Sequence, residues 1–193
     1  ISALRDKDRA HKELAHQGLE RVGLKAQPRL LALMKDKAVD DDTCSWAAEL
    51  LGKVGDAKAV SALAGLHKTR PGPPARTGVR ALGRIGTPEA RDALIDLLAA
   101  RSDPFLSVHV AIALGDVGKS ACPQLIKNLS DTDPHKRRIA AKALGMIGPE
   151  AKTAVPALEG ALKDKDRMVR QAATEALAKI QRAGGGEKPG GKP

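Results

Sequence analysis

A short run of residues recurs along this chain at a nearly constant spacing. Four copies read Leu-Gly-x-[Ile/Val]-Gly, and they begin at Leu51, Leu82, Leu114 and Leu144. Degenerate copies occupy residues 19–23 and 177–181. The six copies end at positions 23, 55, 86, 118, 148 and 181, which are 32, 31, 32, 30 and 33 residues apart. A fixed period of this length is typical of a stack of small structural repeats.

Each copy ends a stretch that has the periodicity of an amphipathic helix. Trp46, Leu50 and Val54, for example, share one face of a 3.6-residue helix. The final glycine of each copy falls where the end of a helix needs a residue that tolerates positive φ. A second apolar stretch follows, and several of these begin near a proline, which suits a first helical turn. These prolines are Pro28, Pro88, Pro123 and Pro156. Each repeat is therefore predicted to be a helix, a glycine turn and a second helix.

Composition favours an all-α fold. Trp46 and Phe105 are the only aromatic residues, and we place both at core-like positions. The apolar residues are mainly Ala, Leu, Val and Ile; alanine is the best helix former, whereas sheets use more aromatic and β-branched residues. The predicted fold class is an α-solenoid, an α-α superhelix of about six two-helix repeats.

The linkers between repeats are rich in aspartate, as in residues 40–42, 102–104, 131–134 and 164–166. An aspartate before a helix accepts hydrogen bonds from the unpaired N–H groups of the first turn, so we predict helix caps here. The run at 40–42 lacks the alternating ligand spacing of a calcium loop. The linker at 71–74 reads Pro-Gly-Pro-Pro instead, and we expect a longer, stiffer turn there.

The repeats resemble short HEAT-like repeats of the phycobilisome-lyase type. The closest copies of that consensus are residues 133–148 and 168–177, and the resemblance covers roughly residues 1–183. It implies that arginines at the positions of Arg137 and Arg170 pair with aspartates between repeats, and that second helices line a concave binding surface. Residues 184–193 are rich in Gly, Pro and Lys, and we expect a disordered tail or a linker there.

Three kinds of HEAT-like enzyme provide catalytic alternatives. In deoxyhypusine hydroxylases, His-Glu pairs near the start of first helices bind iron; here His109 is followed by Val110, and we interpret it as a partly buried helix residue. Bilin lyases would need a tetrapyrrole groove, for which no cysteine or aromatic cluster is present. DNA glycosylases would be expected to use clustered aromatic residues beside a carboxylate. We therefore predict that the protein is not an enzyme, with no catalytic residue, cofactor or metal site.

The two cysteines, Cys44 and Cys122, are far apart and lack metal-binding spacing. We predict that both are small buried hydrophobic residues. No run of apolar residues is long enough for a membrane span. Because the chain starts at Ile1 rather than Met, we expect that an upstream segment, with any targeting signal, is missing. The compartment stays open, with the cytoplasm as the default expectation.

A formal charge of +10 permits binding to polyanions without demonstrating it. The densest basic run is residues 135–138, which either joins a structural Arg–Asp ladder or forms a patch for an acidic partner. The leading functional hypothesis is a non-catalytic protein-interaction scaffold or regulatory module, and its partner is expected to be another protein. A nucleic-acid-binding solenoid and an accessory subunit of a chromophore lyase are the alternatives. The candidate contacts are Arg29, Lys58, Arg91, Asp92, Lys127, Glu159, Lys136 and Arg138.

Overall fold

A computed structural model describes residues 17–18, 21–101, 103 and 105–182. Within these ranges every regular element is a helix, which confirms the all-α prediction. The α-helices are α1 (Gln27–Lys35), α2 (Asp41–Val54), α3 (Ala57–Thr69), α4 (Pro73–Ile85), α5 (Pro88–Asp96), α6 (Leu106–Val117), α7 (Cys122–Asn128), α8 (Pro134–Ile147), α9 (Val155–Ala161) and α10 (Arg167–Arg182). Short 3₁₀ turns are Gly23–Ala26, Leu97–Ala99, Gly118–Ala121 and Gly148–Ala154.

The helices follow the predicted repeat, and the fold is an α-solenoid of HEAT-like helix pairs. Four pairs are complete in the described residues: α2 with α3, α4 with α5, α6 with α7, and α8 with α9. The first repeat contributes its second helix, α1, and the sixth contributes its first helix, α10. The predicted tail at 184–193 lies outside the described residues. None of the helices described is long and apolar enough to cross a membrane.

The described part of the chain divides into two compact units, one that ends at residue 113 and one that begins at residue 114. In the first unit, α2 packs against α1 and α4, and α3 packs against α4 and α5. Its core is made mainly of leucine and alanine, with Leu30, Leu50, Leu51 and Leu82 fully buried. In the second unit, α8 and α9 both pack against α10, and α7 packs against α8.

The first glycine of each recurring run allows neighbouring first helices to pack closely. A Cβ added to Gly52 in α2 would lie 2.8 Å from the Cα of Ala81 in α4, and a Cβ on Gly145 in α8 would lie 2.9 Å from the Cα of Ala176 in α10. Distances this short involve backbone atoms that cannot move aside. These glycines are therefore packing residues, as expected for contacting helix faces.

The second glycine of the run shows one departure from the prediction. The glycines at 23, 86, 118 and 148 have positive φ as expected. Gly55 instead has φ −80 and ψ 163, which is extended backbone. A Cβ at this position would nevertheless clash with the carbonyl oxygen of Leu51. Steric crowding, rather than left-handed backbone, therefore explains the glycine at position 55.

Aspartate side chains cap helices as predicted, and one threonine does so as well. The Asp40 carboxylate accepts a hydrogen bond from the Thr43 N–H at 2.8 Å, and Asp133 accepts one from the His135 N–H at 2.9 Å. Thr87 plays the same role before α5. These contacts satisfy first-turn amides that have no partner inside the helix.

Two expectations were wrong. The Pro-Gly-Pro-Pro turn is short, since only residues 70–72 separate α3 from α4, whereas residues 36–40 separate α1 from α2. Pro73 and Pro74 form the first turn of α4, and Gly72 turns the chain with φ 98. Phe105 is 60% exposed instead of buried, because it stands at the start of α6 on the side away from the core. Trp46 is half-buried.

Candidate partner-binding surface

The sequence-predicted contacts on second helices are distributed over both units. Arg29 lies in α1, Lys58 in α3, Arg91 and Asp92 in α5, Lys127 in α7 and Glu159 in α9. All are exposed except Arg91, which is half-buried. Arg91 pairs with the adjacent Asp92 at 2.8 Å, so these two charges largely cancel each other. The remaining residues are single exposed charges on separate helices.

A cleft of about 280 Å³ lies between α1 and α3 in the first unit. Met34 and Leu66 supply buried apolar surface at its base, and Lys35 and Lys37 are exposed at its edge. Most of the lining surface is apolar. Such a cleft can accept an apolar side chain while its lysines contact a negative group.

A second cleft, of about 440 Å³, lies between α3 and α5. Ala64, Ala93 and Leu97 form its apolar part, while Lys68 and Asp96 are exposed polar residues in its lining. The two clefts therefore flank the same helix, one on each side.

Ser61 and Gly65 line both clefts. They are one helical turn apart on α3, so they share the strip of helix that separates the clefts. A Cβ added to Gly65 would have no atom within 4 Å. Glycine inside a helix is unfavourable by about 1 kcal/mol relative to alanine, and here no packing contact or positive φ requires it. The strip of α3 formed by Ser61 and Gly65 carries only small side chains, so it is an open surface that the backbone of a partner can approach.

Arg70 links the end of α3 to the linker before α2. It donates to the Asp41 carboxylate at 2.9 Å and to the Asp36 carbonyl oxygen at 2.8 Å. Arg70 also lines the first cleft, so these bonds hold part of its lining in place. Among the residues that the structure describes, no ion pair involves Lys35, Lys37 or Lys68. These lysines remain exposed at the cleft edges and give this surface a net positive charge.

None of the sequence-predicted contacts lines either cleft. The prediction selected exposed charges, whereas the clefts are lined by residues within 34–37, 61–70 and 93–100, most of which are uncharged. The signal that could have located them is Gly65, a glycine within a helix and outside every recurring run. Its position four residues after Ser61 marks a strip of small side chains.

The basic run in the second unit is mostly engaged in structural contacts. Arg137 is 6% exposed and donates two hydrogen bonds to the Asp164 carboxylate, each 2.7 Å long. Lys136 pairs with Asp131 at 3.2 Å, and an Arg138 amino group lies 3.2 Å from a His135 ring nitrogen. The ladder predicted from the resemblance is therefore present at Arg137. Lys136 and Arg138 are half-buried.

A second rung of the ladder occurs in the first unit. Arg76 forms a bidentate contact with the Asp103 carboxylate, which is almost fully buried. This arginine lowers the pKa of Asp103, and Arg137 likewise lowers the pKa of Asp164. Arg170 departs from the pattern, because it donates to the carbonyl oxygens of Asp164 and Lys165 instead of to a carboxylate.

The remaining candidate residues occupy structural positions. Cys44 and Cys122 are free and buried, as predicted, and burial raises the pKa of both thiols. His109 is half-buried, and one of its ring nitrogens lies 3.0 Å from the Phe105 carbonyl oxygen. Within the described ranges, no three His, Cys, Asp or Glu residues are grouped so that they could hold a metal ion.

Comparisons with known families agree with this geometry. The HEAT repeat model matches residues 122–188, and the PBS lyase HEAT-like repeat model matches residues 75–100. The chain is a HEAT-like repeat protein. No curated protein matches it.

Solved structures similar to this HEAT-like repeat protein include a natural lyase and designed proteins. The complex of CpcE and CpcF of phycocyanin lyase from Nostoc sp. PCC7120 aligns with a TM-score of 0.51 and 27% identity, over 81% of this chain and 65% of that chain. The HEAT-like repeat protein thus spans less than two thirds of that chain. An engineered protein aligns with a TM-score of 0.45 and 20% identity, over 94% of this chain and 96% of the other. A designed armadillo repeat protein in complex with the peptide (KR)4 aligns with a TM-score of 0.44 and 18% identity, over 93% of this chain and 97% of that chain.

Proposed function

We propose that the protein is a non-catalytic interaction scaffold that binds an extended segment of another protein along α3. The observation that carries this proposal is the pair of clefts on either side of α3, which share Ser61 and Gly65. Solenoid repeats commonly bind through such surfaces on one layer of helices. The partner's backbone lies over the small residues, and its side chains enter the clefts.

The charges at the cleft edges define the preferred partner. Lys35, Lys37 and Lys68 are exposed, and Asp96 is the only acidic residue among those that line the two clefts. A segment that alternates apolar and acidic side chains satisfies both the apolar bases and the lysines. Exposed charges of this kind chiefly increase the association rate and selectivity, and their effect weakens with salt.

Two observations support the alternatives. The similarity to the complex of CpcE and CpcF favours a role as one subunit of a paired assembly, including that of a chromophore lyase. The charge of +10 and the lysines beside α3 favour a nucleic-acid-binding role, which needs only a basic surface.

A matched pair of glycine variants tests the proposal. Gly65→Leu places a bulky side chain between the two clefts, and Gly160→Leu places the same side chain on α9. Neither glycine has an atom within 4 Å of an added Cβ, so in both variants the new side chain begins in open space. Each variant and the wild type capture proteins from a lysate of the source cells, with and without nuclease, and mass spectrometry identifies what is retained.

The scaffold proposal requires a nuclease-resistant protein that wild type and Gly160→Leu retain and Gly65→Leu loses. Capture that disappears with nuclease would instead identify a nucleic-acid-binding solenoid. A coloured chromophore that copurifies with the wild type would favour the lyase subunit. If Gly65→Leu retains the same proteins as wild type, the clefts beside α3 are not the binding surface.

A further inference from the structure

One first helix exposes an apolar strip to solvent. Phe105, Val108 and Ile112 are 60%, 41% and 40% exposed. The Val108 N–H donates to the Phe105 carbonyl oxygen, so Phe105 lies at the N-cap position directly before α6. Their spacing of three and four residues places all three side chains on one side of the helix.

The positions of Val108 and Ile112 are polar in the other described first helices. Ten residues before the end of each recurring run, Val108 corresponds to Ser45, Arg76, Arg138 and Gln171. Six residues before that end, Ile112 corresponds to Glu49, Arg80, Lys142 and Glu175. The repeat therefore does not require apolar residues at these positions. A contiguous exposed apolar strip in one repeat indicates a contact surface.

Three arginines follow the neighbouring helix at intervals of four residues. They are Arg76, Arg80 and Arg84 in α4. The two helices are in close contact, since a Cβ added to Gly83 would lie 3.1 Å from the Cα of Ala113. The Arg76 guanidinium also lies over the Phe105 ring, 5.0 Å from its centroid. The basic row thus lies on a helix that contacts α6, and its first member, Arg76, touches the apolar strip at Phe105.

The arginines are not equally neutralised. Arg76 contacts the buried Asp103, and Arg84 lies 3.5 Å from Glu49. Arg80 is exposed, and no ion pair involves it among the residues that the structure describes. The centre of the basic row therefore presents an uncompensated positive charge on α4, the helix that contacts α6.

We propose that Phe105, Val108, Ile112 and Arg80 form a docking surface for an acidic amphipathic helix of a partner protein. Charge complementarity selects this occupant, because apolar side chains at three- and four-residue intervals cover the strip and flanking carboxylates face Arg80 and Arg84. A docking surface made of so few side chains fits a transient interaction rather than a permanent one. It lies on first helices, so it is independent of the proposed clefts beside α3 on the second-helix side of the same unit.

Designed helical peptides test this proposal directly. The probe is a labelled peptide of about 18 residues, or five helical turns, with leucines along one face and glutamates beside them. A control peptide has lysines in place of the glutamates. Fluorescence anisotropy is expected to show binding of the acidic peptide only. Ile112→Gln and Arg80→Glu are each expected to weaken binding of the acidic peptide about tenfold. Arg80→Glu is also expected to reduce the difference in affinity between the acidic and the basic peptide.

Matched controls separate this surface from general effects of composition. Met168→Gln changes another exposed apolar residue on a first helix, and Arg182→Glu reverses another exposed arginine; both are expected to bind as wild type does. Thermal unfolding of every variant verifies that these surface changes leave the fold intact.

Several results would overturn the proposal. Equal binding of the acidic and basic peptides would show that charge does not select the occupant. If neither peptide binds, or if Ile112→Gln binds the acidic peptide as wild type does, the strip is not a docking surface for such a helix. A wild-type dimer that Ile112→Gln dissociates in sedimentation would identify a second copy of this chain as the occupant instead.

Discussion

The Arg137 guanidinium connects two consecutive repeats by donating two hydrogen bonds, each 2.7 Å long, to the carboxylate of Asp164. The same side chain donates to the carbonyl oxygens of Asp131 and Thr132, at 2.9 and 3.1 Å. Asp164 in turn accepts from the Asp166 N–H at 2.8 Å. A single arginine therefore holds two interrepeat linkers in place, and both members of the pair are about nine-tenths buried.

Removal of one partner from this pair is expected to be strongly destabilising. Asp164→Ala leaves the buried Arg137 charge without its counter-ion, and we expect a loss of about 3 kcal/mol in the free energy of unfolding. Urea unfolding followed by circular dichroism measures it. The double variant Arg137→Met with Asp164→Leu is expected to recover most of the loss, because no unpaired charge remains.

A surface ion pair provides the control for that experiment. Asp92→Ala removes the exposed partner of Arg91, and we expect a change below about 0.5 kcal/mol. If Asp164→Ala were as mild as Asp92→Ala, the ladder would not be a principal source of stability in the second unit.

The same ladder predicts a loss of stability in acid. Arg137 and Arg76 lower the folded-state pKa of Asp164 and Asp103, respectively. The unfolded carboxyl groups have a pKa of about 3.9, so the stabilisation is complete above that pH. It is lost as the pH falls through the lower folded values. Urea midpoints between pH 7 and about pH 2 should therefore fall mainly below pH 4, and less steeply in Asp164→Ala.

The fold could be predicted because the repeat encodes its own packing. Buried residues such as Leu51 recur at helical spacing, and the glycines beside them fix where neighbouring helices touch. The Arg137 pairing was also predictable, through the resemblance of the repeat. Phe105 was misplaced because periodicity identifies one side of a helix only when the other side is polar, and α6 is apolar on both.

The clefts beside α3 depend on information that is not local in sequence. Their volumes are set by how far α1 and α5 stand from α3, and exposed charges alone do not report that distance. The strip formed by Ser61 and Gly65 is recognised as a candidate binding surface only in the structure, because both clefts share it. Charged residues such as Arg29 and Lys58 are exposed on nearly any surface helix, so exposure alone is a weak guide to binding.

Two glycine-to-alanine variants are expected to change stability in opposite directions. In Gly145→Ala, the new methyl group would lie 2.9 Å from the Cα of Ala176, and we expect a net loss of about 1–3 kcal/mol because the helices must separate. In Gly65→Ala, no neighbour is crowded, and we expect a gain of up to about 1 kcal/mol from helix propensity. Thermal and urea unfolding measure both. If Gly145→Ala were the more stable of the two variants, the close contact between α8 and α10 would not require glycine at position 145.

The two buried cysteines allow each unit to be followed separately. Cys44 lies in the first unit and Cys122 in the second, with 0% and 2% of their surfaces exposed. Burial raises the pKa of both thiols, and the thiolate is the reactive form. We therefore expect slow labelling by an aromatic disulfide reagent in the native state and fast labelling once the surrounding helices open.

Variants with a single cysteine connect this reactivity to the ladder. Because repeats interact mainly with their neighbours, Asp164→Ala is expected to accelerate labelling of Cys122 in a Cys44→Ala background. It should accelerate labelling of Cys44 much less in a Cys122→Ala background. The labelling rates are measured in low urea, below the unfolding transition. Equal acceleration at both cysteines would mean that the chain opens as one cooperative body, and the Arg137–Asp164 pair would then stabilise the whole repeat array.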